Sequence, residues 1–367
     1  MNAEFVQKIK HLTEPTVQGS YSADDCIFLL KDLTGHIDAQ EPEARQEAMH
    51  QGAHYSEMLP SEQYPSKDYL NLYTQAMKDL APQLAQYVAD LAELIVNERG
   101  EDVVLVSLAR AGTPVGILLK RYLKDMYELD IPHYSISIIR GKGFDESAIC
   151  YMINKHRTQN LLFVDGWTGK GAIQRVLTES VQQVNDKYGL ALKDDLAVIA
   201  DPADVAKISA TKEDFFLPSS CLNSVVSGLV SRTIHRDDLI GEHDFHGAVV
   251  FNEWRERDLS NQFIDDITAY FGEVTPNVLV KEMPTWRGWH EMEIIQDRYG
   301  IQDINHVKPS VGETARVLLR RVPDRILIKD FSHPSVQHIV LLAKERNVPL
   351  EHYPNMSYLA IGLIQET

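Results

Sequence analysis

The stretch Leu161-Leu-Phe-Val-Asp-Gly-Trp-Thr-Gly-Lys-Gly-Ala172 gathers an acid, a hydroxyl, a cation and several glycines into a few positions. Four apolar residues carry Asp165 to the end of a strand, and Thr168-Gly-Lys-Gly171 then turns into a helix. Glycines let backbone approach a phosphate closely. Amides at a helix start point at an anion, aided by the helix dipole. Thr168 offers a hydroxyl, Lys170 a charge, and Asp165 an acid for sugar hydroxyls or a magnesium-bound water. The spacing is neither a Walker loop nor a Gly-x-Gly-x-x-Gly turn; an ordinary glycine-rich turn is the plain alternative. A second strand and turn, Val103 to Pro114, presents Arg110, Ala111 and Gly112. Arg110 has the fork to grip a diphosphate, or to make a surface salt bridge. Between them, Arg140-Gly-Lys-Gly-Phe-Asp-Glu146 is charged and glycine-rich.

The segment Pro218 to Thr233 carries Cys221 among Ser, Asn and Gly. It reads as a helix start, where a thiol has a lowered pKa and can attack; His235, His243 and His246 lie downstream as bases. A free Cys is more often a small buried hydrophobe. His243-Asp-Phe-His246 has a zinc-like spacing without an evident third ligand.

These groups need a scaffold. Asp68 to Asn97 is apolar at helical spacing and stops at Arg99-Gly100. Strands at Val103–Ser107, Tyr134–Ile139, Asn160–Val164 and Asp195–Ala200 alternate with helices at Pro114–Leu123 and Ala172–Lys187. That pattern is a parallel α/β sheet, which binds ligands at the carboxyl ends of its strands. A smaller α/β unit follows, with strands at Val278–Lys281, Arg325–Lys329 and Leu350–His352 and helices at Gly312–Arg321 and Ser335–Asn347. The expected organisation is a helical extension over 1–98, a central domain over 99–275 and a small domain over 277–367.

Net charge is −17. From Asn277 onward there are 11 basic and 11 acidic residues, so the first 276 residues hold the whole excess. An acidic surface argues against a generic nucleic-acid coat, and the charge break supports the domain break. Three widely spaced cysteines fit a reducing compartment, the cytoplasm. No stretch is apolar for the roughly 20 residues that span a membrane.

The two turns, in this order, resemble the donor and diphosphate loops of type I phosphoribosyltransferases, with Gly166 where that family has a second acid. The resemblance implies a phosphoribosyl diphosphate donor with Mg2+, held by Arg110 to Gly112, Asp165 and Thr168 to Gly171. It implies catalysis by Asp165 under a closing loop with Arg140 and Lys142, and an acceptor base beside Asp201. Over roughly 15–275 the motifs Ser107-Leu-Ala-Arg-Ala-Gly-Thr-Pro114, Cys221-Leu-Asn-Ser, Ser227-Gly-Leu-Val-Ser-Arg-Thr233 and Phe245-His-Gly247 resemble the StiP family of tellurite-resistance clusters. That family carries both transferase-like and cysteine-protease labels. The carboxy-terminal part is similar to the Pelota-type RNA-binding domain, which implies RNA contacts at Lys308, Gly312, Arg316 and Arg320. Transfer of phosphoribose is the leading expectation. The alternatives are a cysteine hydrolase using Cys221 and a ligand sensor coupled to RNA. A dimerisation module is a further reading of the last domain, so a homodimer is among the expected assemblies.

Overall fold

The computed structural model describes residues 1–320 and 323–364, without the side chain of Arg320. Short apolar runs alternating with amphipathic helices must be covered on both faces. They form a six-stranded parallel sheet: β1 (Ile27–Phe28), β2 (Val104–Leu108), β3 (His133–Ile136), β4 (Leu161–Trp167), β5 (Leu196–Ala200) and β6 (Ile208–Thr211), in the order β1-β3-β2-β4-β5-β6. Successive strand residues feed two cores. Leu105, Leu162, Val164 and Ile199 pack with α1 (Lys67–Arg99) and α2 (Gly112–Tyr127). Val104, Val106, Phe163 and Val198 pack with α3 (Glu146–His156) and α4 (Ala172–Tyr188).

The strand order reverses at β2, which has β3 on one side and β4 on the other. The loops after β2 and β4 therefore diverge and open a crevice at the carboxyl edge. Helix α1 ends in a buried Arg99 that pairs with Asp195 at 3.1 Å and donates to the Leu161 carbonyl, fixing the opposite edge. Besides α1, the first 98 residues supply β1, the outer strand of the sheet.

The remaining chain builds α5 (Arg287–Tyr299), β7 (Val307–Pro309), α6 (Val311–Arg320), β8 (Arg325–Ile328), α7 (Gln337–Glu345), β9 (Leu350–His352) and β10 (Ala360–Leu363). Its mixed sheet runs β7-β10-β8-β9, with only the β8–β9 pair parallel. Two expected elements do not form. Val278–Lys281 is not a strand; Val278 is 94% exposed and meets no sheet edge. Pro218–Thr233 is not an α-helix but two 3-10 turns, Pro218–Cys221 and Ser224–Val226. Its polar side chains bond to nearby backbone instead, as when Asn223 accepts from the Val225 amide. No described helix is long and apolar enough to cross a membrane.

Candidate functional site

A cleft of about 740 Å3 lies over the crevice, between the sheet and the carboxy-terminal unit. Asp165, at the end of β4, reaches it, and its Oδ1 accepts the Gly166 amide at 2.8 Å. Burial pushes this carboxyl up to about 7. Next comes the Thr168–Gly171 turn, whose backbone lines the cleft. The amides of Gly169 to Ala172 make no hydrogen bond among the described residues. The side chains expected to help them are engaged. Thr168 is buried, and its hydroxyl donates to Asp201 at 2.6 Å. Lys170 donates to the carbonyls of Ile304 (2.7 Å) and Val307 (3.4 Å), and burial lowers it to about 8, with Lys308 and Arg140 adding to the shift. Tyr358 donates to the Gly169 carbonyl, and Gly171, at φ +88°, sits under Trp286.

The other expected residues divide. Arg110 and Ala111 line the cleft, but Arg110 is paired with Glu62 at 2.7 Å and donates to the Val230 carbonyl. Gly112 faces β4: a Cβ there would lie 2.3 Å from the Val164 carbonyl oxygen, so it is a packing glycine. Arg140 lines the cleft, and its amide is held by Tyr55. Lys142 does not line it; it pairs with Glu57 at 3.2 Å and lies beside His235. Short pairing of Ile138–Ile139 with Gly143–Phe144 makes this stretch a hairpin, not a free loop. Asp201 is fully buried, holding Thr168, the amides of Val205 and Ala206, and Lys212. It is a bracket beneath the turn and cannot face an acceptor. No group of three metal-binding side chains gathers among the described residues.

Ser219, Ser220, Leu222 and Asn223 wall the cleft opposite the glycine turn. Cys221, between them, points into the core and is 2% exposed. Burial pushes the thiol up to about 12. The expected helix start would have lowered it; a single 3-10 turn has no such dipole. The expected histidine bases gather elsewhere. His246 bonds Ser137 and meets His235 edge to face, with ring centroids 4.6 Å apart, while His243 lies against His11.

The carboxy-terminal unit closes the cleft with Lys308 and Arg316, and Arg316 pairs with Glu313 at 2.9 Å. Gly312 rests on Ser220. The side chain of Arg320 and the whole of Arg321 lie outside the described residues.

Residues 19–268 match the family described as tellurite-like stress resistance cysteine protease StiP. The chain belongs to the StiP family. Residues 286–366 match the Pelota RNA-binding domain. A cysteine protease StiP from Acinetobacter baylyi is 34% identical over 365 residues, spanning 95% of this chain and 94% of that protein. A hypoxanthine phosphoribosyltransferase structure from Staphylococcus aureus is 12% identical, covering 44% of this chain and 80% of its own, with a TM-score of 0.18.

Membership in the StiP family corrects the leading expectation. The family description and the full-length relative both name a cysteine protease, so phosphoribosyl transfer gives way to the thiol chemistry weighed as an alternative. Sequence reading also missed the groups that hold the cleft's lining from behind: Glu62 against Arg110, Trp286 and Tyr358 against the glycine turn, and Asp214 behind the cysteine turn. None sits in a motif. The excess of Ser around Cys221 was the one signal of a non-helical turn.

Proposed function

We propose that this chain hydrolyses peptide bonds, with Cys221 as the nucleophile and the substrate lying in the cleft. Position carries the reading. Of the three cysteines, Cys26 and Cys150 are buried away from the cleft lining, whereas Cys221 is flanked on both sides by residues that form it. The family name supports the same chemistry. A thiolate attacks the peptide carbonyl, the amine departs with the proton the thiol gave up, and water releases the acyl group. In the described conformation the thiol is shielded and protonated, so the turn from Leu217 to Leu222 has to swing outward before attack. The test is digestion of casein by the full-length protein and by Cys221→Ser. The variant loses activity about a thousandfold or more, while Cys150→Ser keeps it. Equal digestion by Cys221→Ser ends the assignment.

The carboxy-terminal unit acts as an RNA contact through Lys308, Gly312 and Arg316, with Arg320 further along α6. The Pelota match supports this, and cations of this kind fix a phosphate backbone. Arg316→Ala is expected to weaken binding of a labelled RNA hairpin several-fold and to lower the salt slope by about one. An unchanged salt slope in fluorescence anisotropy removes Arg316 from the contact.

A further inference from the structure

We infer that the Cys221 turn and an RNA backbone compete for the same face of α6, so that RNA binding uncovers the thiol. The inference rests on both parts of the proposed function and supplies the link between them. Gly312 leaves its backbone bare, yet a Cβ there would lie 2.8 Å from Ser220 Oγ and 3.2 Å from Ser220 Cβ. The place where a phosphate backbone would approach is filled by the residue next to Cys221. Ser220 is 3% exposed and its hydroxyl has no partner. A buried, unpaired hydroxyl forfeits its hydration, which makes the covered state easier to leave.

The cover has a second anchor. Asp214, three residues before Leu217, accepts the amides of Val311 (3.0 Å) and Leu359 (2.9 Å). Residues Asp214 to Cys221 are thus tied to the carboxy-terminal unit at both ends. Parting them needs a ligand that prefers the uncovered face, since only differential affinity moves an equilibrium. The surroundings select that ligand. Arg140, Lys170, Lys308 and Arg316 border one cleft in a chain of net charge −17. A local cationic patch on an acidic protein attracts a polyanion there and repels it elsewhere.

The test alkylates the full-length protein with iodoacetamide at neutral pH, with and without a folded tRNA pool, and follows each cysteine by peptide mass mapping. Bound RNA is measured in the same buffer by anisotropy. Saturating RNA is expected to raise Cys221 labelling about tenfold and to leave Cys150 unlabelled. Gly312→Val forces α6 from Ser220 and raises labelling without RNA. Should that variant not fold, Ser220→Ala serves: it removes the unpaired hydroxyl, strengthens the cover and reduces the RNA effect. Unchanged labelling with RNA bound overturns the competition, as does failure to bind RNA, or heparin acting as well as tRNA. The failures are separable. A response to RNA in a protein whose Cys221→Ser variant still digests casein removes only the nucleophile; loss of digestion without a response removes only the competition.

Discussion

The two walls of the cleft each stand on an acid, and they are held in different ways. Asp165 precedes the glycine turn and Asp214 the cysteine turn, and burial raises both carboxyls to about 7. Asp165 receives one amide, from its own neighbour Gly166. Asp214 receives amides from Val311 and Leu359 in the carboxy-terminal unit. The first wall is built by local sequence, a strand running into a turn and a helix. The second is built by a partner far along the chain. Gly166 joins them: a side chain there would meet Leu217 at 3.0 Å. The bare backbone at Gly166 leaves the room in which the cysteine turn begins.

The local wall breaks hardest at Asp201. Asp201→Ala would strand Thr168, two buried amides and part of the Lys212 charge. Removing one side of such a buried network costs about 3–5 kcal/mol. Urea unfolding should show that loss, and a loss below about 1 kcal/mol would mean the bracket bears little weight. Next is Gly171→Val. It places a branched side chain at φ +88°, with its Cβ 2.9 Å from Trp286 and 3.0 Å from Val205. Strain and crowding together cost about 2–4 kcal/mol. Trp286→Ala in the same chain should recover part of it, and no recovery would place the cost in the backbone alone.

This asymmetry explains what could be read in advance. The glycine turn was legible because four apolar residues, a turn and an amphipathic helix announce one another within a single window. Helix α1 was legible for the same reason, its pattern ending at Arg99-Gly100, and β9 fell on Leu350–His352 as expected. The parallel sheet followed from continuous apolar strands. What resisted reading was set by tertiary partners. Arg110 looks the same whether it waits for a diphosphate or pairs with Glu62. Val278–Lys281 has strand residues and no edge to join. Cys221 sits in a polar run that resembles a capped helix, yet Pro218 and the Ser and Asn side chains fold it into 3-10 turns that turn the thiol inward. The chemistry read from the loops was accordingly a transferase's, and relatedness across the whole chain was needed to correct it.

The partner-held wall should reveal itself through pH, with the smallest of these effects. Asp214 has an ordinary value of 3.8 and a folded one near 7. Below 3.8 it is neutral in both states and adds its full share to stability. As pH rises from there to 7, the unfolded chain releases the proton while the folded chain keeps it. Stability therefore falls through this window and levels off above it. The backbone amides and the charge of Lys329 work against the shift, which burial dominates. Asp214→Asn keeps an oxygen for an amide and cannot titrate. Between pH 5 and 8 it should remove about 2–3 kcal/mol of the wild-type decline in urea unfolding. Asp165 remains in both proteins, so only the share of the cysteine wall disappears. Equal declines in the two proteins would show that Asp214 is charged in the folded chain, its amide bonds outweighing burial, and the clasp on the cysteine turn would then be an ordinary anionic cap with no sensitivity near neutral pH.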